Sequence, residues 1–285
     1  QREALEGRGD PDTVARVKAN YRATLAALHL DYLKVWIDWC HEQGSEAREQ
    51  AHGAPANLID LYAAADVPET EVFGASQFAI PGFRRDEGSV SKNLPQPLVT
   101  RLASSAAHLA RRPRASSETF TWLREHFCES PAQMKPEIDQ LFLAGINQIF
   151  YHGTAYSPDD APWPGWLFYA STQANPRHPL WRDLAAVNGY IARCQSLLQS
   201  GEPDNDLLLY WPIHDLYHTP EGWQRAFSMH GQDWLTKAAS GRLAQDLLDR
   251  GLSFDFCSVA LLTEAARYRA VVIPPCRLMP PDTLE

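Results

Sequence analysis

The hydrophobic positions along the chain alternate between two spacings. Helical spacing, with an apolar residue every three or four positions, predicts helices over 12–43, 57–65, 98–111, 131–145 and 184–199. Shorter runs between these helices are typical of strands and cover 47–52, 69–73, 115–120 and 146–151. Strands that alternate with helices indicate a parallel sheet covered by helices, which is the α/β class.

A second α/β unit follows the Gly201, Glu202 and Pro203 turn. The pattern predicts strands over 206–211, 253–256 and 270–273. It predicts helices over 231–249 and 262–267. We therefore predict a boundary near 201–205, with one domain over 1–200 and a second over 201–285. The second domain has the pattern of the start of a flavodoxin-like, doubly wound α/β domain.

The pattern of the first four strands fits two architectures. Four strands are half of an eight-stranded (β/α)8 barrel, and they are also enough for a small, complete doubly wound sheet. Both architectures place polar groups at the carboxyl ends of their strands, so spacing alone leaves the choice open. Because the chain opens at Gln1 and stops soon after the apolar run 271–275, we expect it to be a segment of a longer protein.

Composition and missing motifs exclude several classes of partner and function. The 26 basic residues are scattered and outnumbered by 35 acidic ones, for a net charge of −9, so we expect no nucleic-acid or membrane partner. The five cysteines have no CxxC pair and are interpreted as small apolar residues. No GxGxxG, Walker, GxSxG or HExxH motif is present. His214 and His218 have the i, i+4 spacing of metal ligands, but without a third ligand they indicate a polar helix start or an interdomain contact.

Carboxylates form the strongest candidate chemistry. Glu118 lies near the end of a predicted strand, in the sequence SSETFTW. Glu69 and Glu71 lie on another strand and point to the same face, because strand side chains alternate with a period of two, so one could act while the other supports it or binds a cation. Carboxylates from two strands that face one cleft are what glycoside hydrolysis requires. The alternative is that they cap helices or pair with arginines.

Histidines and aromatic residues surround these carboxylates in the predicted arrangement. His52 and His152 each end a strand, where they could bind sugar hydroxyls or serve a structural role. A long Pro- and Trp-rich loop spans 156–177, a length typical of functional walls and lids. The aromatic candidates for stacking on a sugar are Trp122, Tyr156, Trp163 and Trp166. The alternative is that these rings form the small core of the loop itself.

Four segments together resemble glycoside hydrolase family 106, the α-L-rhamnosidases. They are REQAHGAPANLIDLYAAADVPETEVFG, SSAAHLARRPRASSETFTWL, GINQIFYHGTAYSPDDAPWPGWLFYAS and LWRDLAAVNGYIARCQSLLQSGEPDNDLLLYWPIHDLY. The resemblance runs from about residue 12 to residue 218. Combinations such as SSETFTW with FYHGTAYS are specific to it.

The resemblance implies a fold and an activity. The fold is the second half of a catalytic (β/α)8 barrel followed by part of a doubly wound domain. The activity is inverting removal of terminal α-L-rhamnose from plant polysaccharides or glycosides, aided by an active-site Ca²⁺ whose ligands the resemblance leaves unassigned. Periplasmic or extracellular localisation is expected, since polysaccharides are usually cut outside the cytoplasm.

The resemblance also implies roles for individual residues. Glu118 is implied to be the general base and Glu71 a second active-site glutamate, with Glu69 competing for that assignment. The general acid is expected in the first half of the barrel, which this chain lacks. That first half, from the same parent protein, is the expected partner of this chain. Competing hypotheses are another barrel glycosidase, such as a β-galactosidase-like enzyme, and a carbohydrate-binding protein without catalysis.

Overall fold

The computed structural model describes residues 1–82 and 95–283. The strands are β1 (Arg48–Glu49), β2 (Val67–Gly74), β3 (Ser116–Trp122), β4 (Gln148–Tyr151), β5 (Leu207–Tyr210), β6 (Phe254–Cys257) and β7 (Ala270–Val272). The α-helices are α1 (Arg2–Leu5), α2 (Pro11–Glu42), α3 (Leu58–Ala64), α4 (Pro97–Leu109), α5 (Pro131–Leu143), α6 (Leu184–Leu198), α7 (Ile213–Tyr217), α8 (Asp233–Thr236) and α9 (Ala239–Asp249). Within the described residues, 3-10 helices cover Gly222–Gln224, Val259–Arg267 and Pro281–Thr283.

The first sheet is parallel and has the strand order β1-β2-β3-β4. Each strand therefore lies beside the next one along the chain, and the order does not reverse. The register sets Glu71 beside Glu118, and Glu118 beside Phe150. Because neighbouring parallel strands hold residues of equal height side by side, two acidic side chains meet on one face of this sheet.

Helices cover the opposite face of the first sheet. Val72 of β2 packs with Ala107 of α4 and Leu141 of α5 in one apolar cluster. A second cluster joins β3 to α5 and α6 and contains Phe120, Trp122, Met134, Ile138, Leu184, Val187 and Ile191. The hydrophobic face of the sheet thus packs against the helices, and the polar side chains lie on the other face.

The second sheet is parallel with the order β6-β5-β7, so its strand order reverses as in doubly wound sheets. It packs directly on α4 of the first unit. Ser105 accepts a hydrogen bond from the backbone N–H of Phe256 at 2.9 Å, and Arg101 donates one to the carbonyl of Phe254 at 3.2 Å. One core cluster also spans both units. The mixed α/β class with parallel sheets is therefore confirmed.

Most of the predicted elements are present with shifted ends, and the predicted helix over 231–249 is wrong. The chain forms α8 and α9 instead, separated by extended backbone at Ala238. This break lets Gly241 lie against the carbonyl of Leu235, where an added Cβ would stand 1.9 Å from the oxygen. The turn is thus built on a close approach that only glycine permits.

The five cysteines differ in how deeply they are buried. Cys40 and Cys257 are buried as expected, whereas Cys128 is exposed and the remaining two are half-buried. The expectation that the cysteines are mostly buried apolar residues therefore holds for Cys40 and Cys257 and does not hold for Cys128. Within 1–82 and 95–283, none of the helices combines the length and apolarity needed to cross a bilayer.

Glu137 of α5 gives a prediction about stability and pH. Its side chain is 1% exposed, and within the described residues neither carboxyl oxygen has a hydrogen-bond partner. Burial raises the pKa of this carboxyl from 4.5 to about 8. Between these values the folded state holds a proton that the unfolded state releases, so the free energy of unfolding is expected to fall by up to about 1.4 kcal/mol per pH unit as pH rises.

Urea denaturation at several pH values tests this expectation. Glu137→Gln carries no titrating group at this position and is expected to remove that part of the slope between about pH 5 and pH 8. The same substitution at the exposed Glu202 is the control and is expected to keep it. An unchanged slope in Glu137→Gln would show that this carboxyl is not the group that titrates.

Candidate active site

Alternation along β1 and β2 places a row of polar side chains on the face opposite the helices. Gln50 comes directly after β1, and His52 lies two positions further along the chain. Glu69 and Glu71 are likewise two positions apart, within β2. The contacts across the strands agree with this geometry. His52 Nε2 lies 3.2 Å from a carboxylate oxygen of Glu71, and Gln50 donates to Glu69 at 2.9 Å. These four side chains thus share one surface.

A bulge in β3 changes which residues reach this surface. The pairing of β2 with β3 shifts after Glu71, so that Phe73 lies beside Thr121. Phe120 has a φ of 72°, in the left-handed region that a phenylalanine rarely adopts. The extra residue reverses the alternation of side chains along β3. As a result, Glu118 and Thr121 face the polar surface, while Phe120 and Trp122 face the helices.

The predicted contact of Trp122 with a sugar is therefore wrong. Its side chain is 1% exposed, and its ring packs edge-on against Phe120 with the centroids 5.0 Å apart. A ring enclosed in this way has no open face for stacking. Thr121 takes the place that simple alternation would give Trp122, and its hydroxyl lies 2.9 Å from His152 Nδ1.

Glu118 stands at the centre of the polar surface and both of its oxygens are engaged. His152 Nδ1 lies 2.5 Å from Oε1, and the amide nitrogen of Gln50 donates to Oε2. The same nitrogen of His152 also lies beside the Thr121 hydroxyl. About a quarter of the Glu118 side chain is exposed, which leaves it open to a small molecule.

Glu69 differs from Glu118 because its carboxylate is closed off. It is 3% exposed and accepts from Gln50 at 2.9 Å and from Ser116 at 2.7 Å. Arg48 Nε lies 3.4 Å from its second oxygen, and the Arg48 guanidinium stands 4.0 Å from the centre of the Phe150 ring. The expectation that Glu69 binds substrate is therefore corrected. Its oxygens are used within the sheet, where they hold other side chains.

Glu71, Glu118 and His152 form the one group of potential metal ligands found among the described residues. One donor atom from each lies within 4.8 Å of the others. His214 and His218 join no such group; His218 Nδ1 lies 3.0 Å from the carbonyl of His214 instead. Two carboxylates so close to each other can share a cation or act on one substrate atom.

The proximity of the Glu71 and Glu118 carboxylates also bears on the mechanism. An inverting pair of carboxyl groups is typically about 6.5–9.5 Å apart, which leaves room for a water molecule, while a retaining pair is about 5–5.5 Å apart. One carboxylate oxygen of Glu71 and one of Glu118 lie within 4.8 Å of each other, a proximity that fits a retaining pair better than an inverting pair in this conformation. An inverting enzyme would need its acid elsewhere.

The Trp-rich loop lies beside the carboxylates. Phe168 packs edge-on against the His152 ring at 4.6 Å between centroids, and Tyr169 is 6.1 Å from the same ring. Burial raises the pKa of the Tyr169 hydroxyl, and the charges of Glu71 and Glu118 raise it further, so this phenol lies within electrostatic range of both carboxylates. Tyr169 is nevertheless 63% exposed.

Tyr156 and Trp163 are also exposed in this loop, at 75% and 67%. Trp163 lies 5.6 Å from the Phe127 ring, and Tyr156 lies edge-on to Trp166 at 6.0 Å. Their open faces are suited to stacking on a sugar, and that role stays a prediction. Unlike Trp122, these rings are not enclosed by helices.

The structure thus brings together four of the predicted site residues, His52, Glu71, Glu118 and His152, and adds three that were not among the predicted site residues. Gln50 precedes His52 by two positions, so its place on the same face was available from the strand period. Thr121 was hidden by the bulge at Phe120, which no local sequence signal announces. Tyr169 lies in a loop, where no periodicity applies.

Carboxylates beside open aromatic rings at one edge of a parallel sheet are typical of enzymes that act on carbohydrates. The family model for alpha-L-rhamnosidase, glycoside hydrolase family 106, matches residues 4–222. The chain therefore belongs to this glycoside hydrolase family.

Two known proteins are similar to this chain over most of its length. A putative beta-glucuronidase from Formosa agariphila is 27% identical over 195 residues, which is 67% of this chain and 15% of that protein. The structure of a rhamnosidase from Novosphingobium sp. PP1Y matches 89% of this chain and 23% of that chain, with a TM-score of 0.62 and 19% identity. The structural match shows a shared fold. The chain spans less than a quarter of the length of either protein.

Proposed function

We propose that this chain is part of a glycoside hydrolase that removes terminal α-L-rhamnose from plant polysaccharides or glycosides. The observation that carries the proposal is the Glu118 carboxylate, which is held between Gln50 and His152, is open to solvent and lies next to Glu71. Glu118 is the general base that activates water in this proposal, which is the role that the resemblance to the family implies. His52, His152, Tyr156 and Trp163 contact the sugar.

The four-stranded sheet is proposed to be the second half of a (β/α)8 barrel over 1–200, followed by part of a doubly wound domain over 201–285. Its unreversed strand order supports this, because doubly wound sheets reverse while barrels continue in one direction. The exposed face of α2 gives independent support. It carries large apolar side chains at helical spacing, namely Leu28, Tyr32, Val35, Trp36 and Trp39.

The partner proposed for that helix face is the first half of the barrel, from the same parent protein. The two similar proteins are more than four times as long as the part matched here, so each contains ample additional sequence. A helix of a closed barrel packs against neighbours on both sides, which accounts for apolar residues on the uncovered side of α2. The general acid is then contributed by that first half.

An inverting mechanism fits this division of roles. If the acid comes from the other half of the barrel, the short distance between Glu71 and Glu118 is no obstacle to inversion. A retaining glycosidase is a second candidate, which the same distance favours, because Glu71 and Glu118 would then be acid and nucleophile. The two differ in the anomer released first.

A calcium ion is proposed to bind at Glu71, with Glu118 near by. The carboxylate oxygens suit calcium, whereas the imidazole of His152 does not, so His152 is better assigned to holding Glu118. When bound, the ion would attract sugar hydroxyls and offset the repulsion between the two carboxylates. Further oxygen ligands must come from water, the sugar or the rest of the protein, because calcium takes about six to eight.

Substitution of Glu71 tests the calcium proposal. Glu71→Gln in the full-length protein is expected to weaken calcium binding by at least about 10-fold in isothermal titration, because a charged ligand is lost. The exposed Glu125 is the control position, and Glu125→Gln is expected to bind calcium as the wild type does. Equal affinities in all three proteins would place the ion elsewhere.

The substrate is tested with three p-nitrophenyl glycosides, the α-L-rhamnopyranoside, a β-galactopyranoside and a β-glucuronide. The full-length protein is expected to hydrolyse the rhamnoside best, and proton NMR is expected to show inverted rhamnose first. Preference for the galactoside would favour the β-galactosidase-like alternative, and preference for the glucuronide would favour the activity named for the Formosa protein. Rhamnose binding without turnover would indicate a carbohydrate-binding protein.

Export to the periplasm or the cell exterior is part of the proposal, since a polysaccharide substrate is met there. Fractionation of cells that produce the full-length protein tests it. Activity confined to the cytoplasmic fraction would instead point to small glycosides taken up by the cell.

A further inference from the structure

The side chain of Gln50 lies between two carboxylates that come from different strands. Its amide nitrogen donates to Glu69 Oε1 at 2.9 Å and also donates to Glu118 Oε2. Both hydrogens of one neutral nitrogen are therefore used. A glutamine suits this place because a glutamate could not donate, and a lysine would add a charge.

Glu69 is a rigid anchor for this amide. Ser116 donates to its other oxygen at 2.7 Å, Arg48 lies 3.4 Å from that oxygen, and the side chain is 3% exposed. With its surroundings fixed in this way, the Glu69 carboxylate cannot turn to follow Gln50. The amide of Gln50 is instead held at a fixed distance from β2.

The same amide fixes the orientation of Glu118. Gln50 binds one oxygen of that carboxylate, and His152 Nδ1 lies 2.5 Å from the other. A carboxylate held at both oxygens has lost rotation about its last bond. Thr121 lies 2.9 Å from His152 Nδ1 and completes the support on that side.

We infer that Gln50 is a positioning residue that orients the base Glu118 by tying it to the buried Glu69. The inference rests on the proposed function, because it concerns the base of that reaction. A base must meet its water at a fixed angle and distance, and small errors in placement are costly in rate. Gln50 would not contact the sugar in this role, so its loss should affect turnover more than binding.

The test is Gln50→Met in the full-length protein with p-nitrophenyl α-L-rhamnopyranoside. Methionine has a similar length and no donor, and kcat is expected to fall by about 10- to 100-fold with KM within about two-fold of the wild type. Gln199→Met is the matched control. Gln199 donates to the carbonyl of Asn147, which lies at the end of β4 opposite to His152. Its replacement is expected to leave kcat unchanged.

A double variant separates positioning from a general loss of structure. If Gln50 acts through Glu118, adding Gln50→Met to Glu118→Gln is expected to cause little further loss of kcat. Rhamnose binding by calorimetry checks that the variant is folded. Should Gln50→Met fail to fold, Gln50→Asn keeps the amide, and it is still expected to lower kcat because the shorter side chain cannot span both carboxylates.

The outcomes are distinguishable. A kcat within two-fold of the wild type in Gln50→Met, or a full further loss in the Glu118→Gln background, would overturn the positioning role while the proposed function stands. An inert wild-type protein would contradict the proposed function, and the positioning role with it.

Discussion

Replacing Glu118 with glutamine is expected to lower kcat/KM for p-nitrophenyl α-L-rhamnopyranoside by about 100-fold or more. Glutamine has nearly the same shape and keeps one acceptor oxygen for Gln50, while its amide cannot take a proton from water. The loss is expected in kcat, with rhamnose binding within a few-fold of the wild type. Steady-state kinetics of the full-length protein, with calorimetry for binding, measure both.

The nitrophenyl substrate makes this experiment specific for a base. Nitrophenolate is a good leaving group that needs little help from an acid, whereas the attacking water still needs one proton removed. Azide attacks without a base, so it is expected to restore turnover in Glu118→Ala and to give a glycosyl azide of inverted configuration. Glu202→Gln, on an exposed turn, is the control. Activity of Glu118→Gln near that of the wild type would remove Glu118 from the mechanism.

The strand period explains why the carboxylates could be placed from the sequence. Glu69 and Glu71 are two positions apart within one strand, and the structure sets both on the face that also carries Glu118. The strand period could not distinguish which of the two glutamates is accessible to a substrate. That depends on Ser116 and Arg48, which reach Glu69 from neighbouring strands and leave Glu71 beside His52. Such long-range contacts have no local signal.

The bulge at Phe120 shows where periodic reasoning fails. Alternation from Glu118 predicts that position 122 faces the site, and one inserted residue reverses the result. A phenylalanine with positive φ is held there by packing with Trp122, α5 and α6, so the cause is tertiary. Proline, glycine or asparagine would have announced such a turn, but the sequence there contains only residues that favour strands.

The break between α8 and α9 has a similar origin. Helical spacing continues through 231–249, yet the chain turns at Ala238 because Gly241 seats against Leu235. The fold class, most of the elements and the family were thus accessible from sequence. The exact direction of individual side chains was not, because it is set by contacts between residues far apart in the chain.

Asp255 of β6 is a residue whose loss should strongly affect stability. It is 1% exposed and lies 2.9 Å from His108 Nδ1 at the end of α4. Asn205 and Tyr268 donate to its other oxygen at 2.8 and 2.9 Å. One carboxylate thus joins α4 of the first unit to three segments of the second. Removing it leaves three partly buried polar groups without this partner.

Asp255→Ala is therefore expected to lower the free energy of unfolding by about 3–5 kcal/mol, measured by urea denaturation with tryptophan fluorescence. Burial alone would raise the pKa of Asp255, but His108 and the hydrogen bonds from Asn205 and Tyr268 lower it below 3.8. Its stabilising contribution is therefore present above about pH 4 and is lost as pH falls through the lower folded value, so the difference between wild type and variant should narrow in acid.

Asp206→Ala is the matched control for this experiment. Asp206 lies just before β5 and pairs with Arg269 at 3.0 Å, but the Arg269 side chain is 82% exposed. An ion pair open to water contributes little, so the control is expected to lose less than about 1 kcal/mol and to show no comparable narrowing in acid. If the two variants lost similar stability, the contacts of Asp255 would not be what holds the second sheet to α4, and that role would fall to the shared apolar core and to the hydrogen bonds of Ser105 and Arg101.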